Sequence, residues 1–345
     1  MNPILTPFWS GDEVLRESFM PLREKDGSIA PIRLLYRADE ILRVQSATLE
    51  KEYAPQTDYS LQNGCLVIPY GSAIPVMEYN DYYLEKEDPG RCFEHSVSGW
   101  IRFAERDYCH LRQTVVSYRH SDEWTGTIPE NKLPLLPRTA SLLQTRQPFR
   151  LLIFGDSIST GANASKMIGA LPYQAPWFEL LLEGLSDAYS TNGITLLNTS
   201  VGGKTGLWGR ETAKENAAQL CPDLCVIGFG MNDGSGNVPN AEFIARLKAI
   251  MATVRAENPL CEFILIATTL PNREVKGFFG TQETYLSPML ALEQIGVCVA
   301  DMTTVHRELL ERKAFRDMTG NNVNHPNDFL SRVYAQVLLR TLGAL

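Results

Sequence analysis

The chain has 345 residues, enough for two domains or one large domain with an appended module. Apolar residues make up 44% and charged residues 21%, which excludes a disordered, collagen-like or coiled-coil chain. No apolar run reaches the roughly 18 residues of a membrane helix. A net charge of −8, with 32 basic residues scattered along the chain, argues against a nucleic-acid partner, whose phosphates need a concentrated basic patch.

The first residues lack a charged segment followed by an apolar one, because Asp12, Glu13, Arg16 and Glu17 arrive too early; no signal peptide is expected. Seven cysteines lie at no regular spacing, and Cys221 and Cys225 have no second Cys/His pair to complete a zinc site. The expectation is buried, reduced thiols in a cytoplasmic protein with no metal. Residues 1–128 hold short runs rich in β-branched and aromatic residues at 32–36, 65–69, 98–103 and 113–118. Turn residues at 25–28, 62–64 and 88–90 separate them, a pattern that predicts a β-sandwich of the jelly-roll kind. Residues 129–148 carry Pro129, Pro134, Pro137 and Pro148 and read as an extended linker, packed against a surface through Leu133, Leu135 and Leu136.

Residues 149–345 alternate in pattern. Apolar runs at 151–154, 194–197, 224–229, 263–267 and 297–300 predict strands. Helical patterns fall at 176–187, 210–219, 240–257, 284–295, 303–313 and 329–343. Buried strands separated by amphipathic helices predict a parallel sheet with helices on both faces. In such a sheet the site forms at the carboxyl ends of the strands.

Four segments fall at, or within reach of, that edge. The first strand runs into Gly155-Asp156-Ser157, which lifts a serine hydroxyl above the sheet beside a helix N-terminus. Taken alone, Asp156 and Ser157 are also ordinary turn residues. After the second strand, Gly202-Gly203-Lys204 lets backbone approach a ligand closely. After the third, Asn232 places a side-chain amide where it can donate to an oxyanion. Near the C-terminus, His325 stands on a loop before Pro326 and suits a general base. The other histidines compete less well: His95, His110 and His120 belong to the β-rich part, and His306 reads as a solvated helix residue.

In this order, Ser157, Gly203, Asn232 and His325 resemble the SGNH hydrolases of the GDSL family, over the C-terminal ~195 residues. The resemblance implies a flavodoxin-like α/β/α domain, ester hydrolysis and no cofactor. It makes Ser157 the nucleophile and His325 the base, with an oxyanion hole formed by the N–H groups of Ser157 and Gly203 and the amide of Asn232. Asp156 then fixes the loop by bonding to backbone. One position departs from the family. The usual D-x-x-H aspartate is Asn322 here, so His325 is oriented by an oxygen of Asn322 or of the backbone, or by a carboxylate from Asp317 or Asp328. Asp328 also has an N-cap role open to it.

The layout, a β-rich part before an SGNH domain, is similar to carbohydrate esterase family 2 and implies acetyl groups on carbohydrate as substrate. Trp208, by stacking on a sugar, and Lys204 are candidate substrate contacts; core packing is the alternative for Trp208, Trp177 and Trp124. Two other functions remain open: an acyltransferase using an alcohol acceptor, and a carbohydrate-binding protein with a decayed site, against which the intact Ser157, Gly203, Asn232 and His325 argue.

Overall fold

A computed structural model describes residues 2–345. Ten short strands precede the helix-rich part: β1 Glu13–Phe19, β2 Leu22–Arg23, β3 Glu40–Ser46, β4 Ser60–Gln62, β5 Cys65–Val67, β6 Met77–Glu78, β7 Tyr83–Leu84, β8 Cys92–Glu94, β9 Trp100–Arg102 and β10 Thr114–Arg119. They form four small sheets, ordered β1-β10-β3, β2-β6, β4-β5 and β7-β9-β8. The region is β-rich as expected, but no described sheet here exceeds three strands, and the expected jelly-roll sandwich is not confirmed. Residues 32–36 show why. Ile32 makes a single bridge to Leu66, while the N–H groups of Leu35 and Tyr36 go to the side chains of Glu17 and Tyr118. Side chains satisfy the backbone, and no ladder forms.

The 129–148 segment is not extended throughout. A 3₁₀ turn at Leu133–Leu135 leads into a helix, Pro137–Gln144, with proline at the first helical position, where its missing N–H costs nothing. Leu133 and Leu136 are buried, so the segment is fastened to the core as expected.

Beyond it, five parallel strands, β11 Phe149–Gly155, β12 Ile194–Asn198, β13 Leu224–Gly228, β14 Glu262–Ala267 and β15 Val297–Asp301, form one sheet ordered β12-β11-β13-β14-β15. This 2-1-3-4-5 order is that of flavodoxin-like sheets. Alternate strand residues feed two cores. Leu151, Ile153, Val226 and Ile264 face the helices Trp177–Tyr189 and Asp328–Thr341. Leu152, Phe154, Cys225 and Phe263 face the helices Gly206–Asn216 and Asn240–Glu257. The helix expected over 284–295 shrinks to a 3₁₀ turn, Gln282–Tyr285, and a short helix, Leu286–Leu290, which holds Pro288 in its first turn. His306 sits on a helix, Met302–Arg312, but is buried rather than solvated. Of the cysteines, Cys221 is exposed and Cys65 half-buried; the other five are buried. No described helix is long and apolar enough to cross a membrane.

The first core does not stop at the sheet. It runs on through Leu5, Phe19, Val44, Val116 and Tyr118 of the N-terminal region. A fully buried ion pair, Lys313 Nζ to Glu17 Oε1 at 2.5 Å, crosses the same boundary. Glu17 also accepts from the Leu35 N–H and the Tyr118 hydroxyl, so its lone pairs are used. Removing one partner leaves an uncompensated buried charge. Lys313→Met should therefore lower the unfolding free energy at pH 7 by about 3–5 kcal/mol, measured by urea titration. A loss under about 1 kcal/mol would mean that the pair is not buried in solution.

Candidate active site

The site lies where the strand order reverses, at the carboxyl ends of β11, β12 and β13. β11 and β13 end in Gly155 and Gly228, which pair in register. A Cβ on Gly155 would come within 2.4 Å of the Gly228 oxygen and of Ser159 Oγ, so only glycine permits this approach. The chain then turns through Ser157. Asp156 Oδ1 accepts the Ile158 N–H at 3.0 Å, fixing the turn through backbone as expected. Burial pushes Asp156 up to about 7, with Asp233 adding to the rise and the Ile158 N–H opposing it. Asp233 is itself fully buried; it accepts from the Gly206 N–H at 2.8 Å and pairs with Arg246 at 2.7 Å.

Ser157 Oγ lies 2.9 Å from His325 Nε2. The His325 loop is shaped from within. Asn321 Oδ1 accepts the N–H groups of Val323, Asn324 and His325 at 3.0–3.1 Å. Thr319 Oγ1 donates to the His325 carbonyl at 3.1 Å. On the far side of the imidazole, Nδ1 lies 2.7 Å from Asn163 Oδ1 and 3.5 Å from Glu105 Oε1.

None of the three residues expected to orient His325 reaches the ring. Asn322 accepts from the Tyr82 hydroxyl at 2.8 Å and donates to the Arg102 carbonyl at 2.9 Å, tying the loop to the N-terminal region. Asp317 takes the N–H groups of Met20 and Ala314. Asp328 takes the Ser165 N–H at 2.7 Å, and the N-cap of the last helix is Asn327. The residues at Nδ1 were missed. Asn163 follows Ser157 by six positions on the same turn, and Glu105 lies in the N-terminal region, where no motif marks it. The missing D-x-x-H carboxylate was the one hint that a partner stood elsewhere.

The loop after β12 lies against the nucleophile: a Cβ on Gly202 would sit 3.8 Å from Ser157 Cβ. Among the described residues, no protein acceptor takes the N–H of Ser157 or of Gly203. Asn232 Nδ2 donates to the Lys204 carbonyl at 2.8 Å, which joins the amide to the Gly203 loop and leaves its second N–H. Trp208 is half-buried, its ring packed against Phe154 and Phe229, with Lys204 Nζ 5.9 Å from the ring centroid. Trp177 is buried and donates to the Ile158 carbonyl. Trp124 packs against Phe8 and under Arg312, away from the site.

A serine hydroxyl held to an imidazole at the switch point of a 2-1-3-4-5 sheet defines a site of the α/β serine-hydrolase class. Residues 153–329, just over half of the chain, match the GDSL-like lipase/acylhydrolase family, and the chain belongs to that family. An arylesterase from Vibrio mimicus is 27% identical over 106 residues, which cover 31% of this chain and 48% of the arylesterase. The match thus spans about half the length of that curated relative. A two-domain esterase active on acetylated mannans, co-crystallised with mannopentaose, shares the fold at TM-score 0.50 and 18% identity, over 63% of this chain and 55% of that one. A catalytic mutant of an acetylxylan esterase from Geobacillus stearothermophilus aligns over 56% of this chain and 94% of its own at 19% identity and TM-score 0.45.

The elevated Asp156 has a measurable consequence. A buried carboxyl that binds its proton more tightly when folded stabilises the fold below its unfolded pKa. That stability is lost as pH rises from the unfolded value, 3.8, through the folded one, about 7. Asp156→Asn keeps an acceptor for Ile158 but cannot ionise. Its stability should fall less than the wild type's between pH 4 and pH 8, by up to a few kcal/mol, in denaturant titrations at the two pH values. Parallel pH dependences would show that Asp156 is not the buried acid described.

Proposed function

We propose that this protein is a serine esterase that removes short acyl groups, acetyl foremost, from carbohydrate hydroxyls through an acyl-Ser157 intermediate. The observation that carries the reading is the 2.9 Å contact between Ser157 Oγ and His325 Nε2 in a chain of the GDSL-like family. As Ser157 Oγ attacks the ester carbonyl, its proton passes to Nε2. The carbonyl electrons move onto oxygen, where the N–H groups of Ser157 and Gly203 and the free N–H of Asn232 receive the charge. Collapse breaks the bond to the alkoxide, which takes the proton from Nε2. Water then attacks the acyl group, gives a proton to Nε2 and releases the acid, and the proton returns to Ser157. The carbohydrate part of the reading is supported by likeness in fold to the esterase active on acetylated mannans.

Acetate release from acetylated mono- and oligosaccharides tests the reading. The wild type should release acetate, and Ser157→Ala should not. With p-nitrophenyl esters, kcat/KM should fall from acetate to butyrate and be negligible at octanoate; a rise with chain length contradicts the short-acyl assignment. Asn232→Ala should lower kcat by roughly 10²–10³ with little change in KM, since it loses a donor used mainly in the transition state.

A further inference from the structure

In a Ser–His–Asp triad one carboxylate does two things: it accepts the Nδ1–H, which fixes tautomer and orientation, and its charge stabilises the imidazolium. We propose that these tasks are divided here, Asn163 fixing the ring and Glu105, contributed by the N-terminal region, supplying the charge. The proposal rests on the esterase reading and assigns two positioning residues to the same site.

Asn163 presents its oxygen to the ring because its Nδ2 is committed elsewhere, to the Gly320 carbonyl at 3.3 Å and the Arg106 carbonyl at 3.4 Å. An amide oxygen 2.7 Å from Nδ1 requires the proton on Nδ1. Nε2 is then the acceptor that Ser157 needs. Asn163 is held in place: it is buried, and its φ of 65° is left-handed, a conformation asparagine tolerates. It packs against Gly320, where a Cβ would come within 2.3 Å of its own Cβ. A neutral amide cannot stabilise imidazolium by charge, however. Glu105 Oε1 stands 3.5 Å from Nδ1 and is held by Asn321 Nδ2 at 3.2 Å. No other carboxylate among the described residues pairs with the ring. The Glu105 side chain is half-exposed, so its partial desolvation, which pushes the carboxyl up, is outweighed by His325, Asn321 and Asn163, which hold it below the usual range and charged at neutral pH. The segment bearing Glu105 is stitched to both sides of the site, Arg102 through Asn322 and Arg106 through Asn163.

The test measures kcat and KM for hydrolysis of p-nitrophenyl acetate, and inactivation by a serine-directed phosphonate. Folding is checked by circular dichroism. Glu105→Gln should lower kcat about tenfold with KM nearly unchanged, because the carboxylate no longer stabilises the imidazolium formed in the transition state. Asn163→Ala should lose roughly 10²–10³ in kcat. Asn163→Asp restores both tasks to one residue, so Asn163→Asp/Glu105→Gln should recover to within about threefold of the wild type. Glu105→Gln with wild-type kcat overturns the division of tasks. So does a folded double variant no better than Glu105→Gln. A wild-type protein that neither hydrolyses the ester nor reacts with the phosphonate overturns the esterase reading itself.

Discussion

The site depends on one imidazole held at both of its nitrogens. His325 sits between Ser157 Oγ on one side and Asn163 Oδ1 on the other, and both residues belong to the single turn that follows β11. The ring is clamped by a segment 162 residues away from it in sequence, so its placement depends on how well its own loop is fixed. That loop is built from short polar side chains bonding to nearby backbone, with Asn321 Oδ1 gathering three N–H groups. A ring displaced by even 1 Å would lose much of the benefit of being aligned for proton transfer.

The N-terminal region keeps the loop in place from outside. Its Tyr82 and Arg102 bind Asn322; Gln113 bonds to the carbonyls of Arg316 and Thr319; and Ser18 and Met20 bond to Asp317. Behind these contacts the Glu17–Lys313 pair and a shared apolar core join the two parts. The region thus shares an apolar core with the sheet and bonds directly to the His325 loop. Several of its unpaired backbone N–H groups go to side chains of its own, as those of Leu35 and Tyr36 do to Glu17 and Tyr118.

The parallel sheet was legible because β11, β13, β14 and β15, buried along most of their length, read as apolar runs, as does the shorter edge strand β12, and the strand order places their carboxyl ends at the site. Ser157, Gly203, Asn232 and His325 were legible for the same reason: each follows, or lies within reach of, such a run. Asn163 and Glu105 were not. Asn163 lies in a turn whose backbone path local pattern does not reveal, and Glu105 acts across a tertiary contact that no spacing encodes. Asn322, Asp317 and Asp328 looked suitable because they are near His325 in sequence. The fold turns each of them toward the N-terminal region, the backbone or the helix start instead. The 284–295 stretch misled in another way: its apolar period suggests one helix, whereas the chain forms a 3₁₀ turn and a helix of five residues.

The central claim is that Ser157 is activated by His325. Intact-mass and peptide mass spectrometry after brief treatment with a serine-directed phosphonate at neutral pH test it directly. The account predicts one adduct, on Ser157, in the wild-type protein, and none on the same timescale in His325→Ala. Labelling elsewhere with Ser157 unmodified, or equally fast labelling of Ser157 without the imidazole, would contradict it.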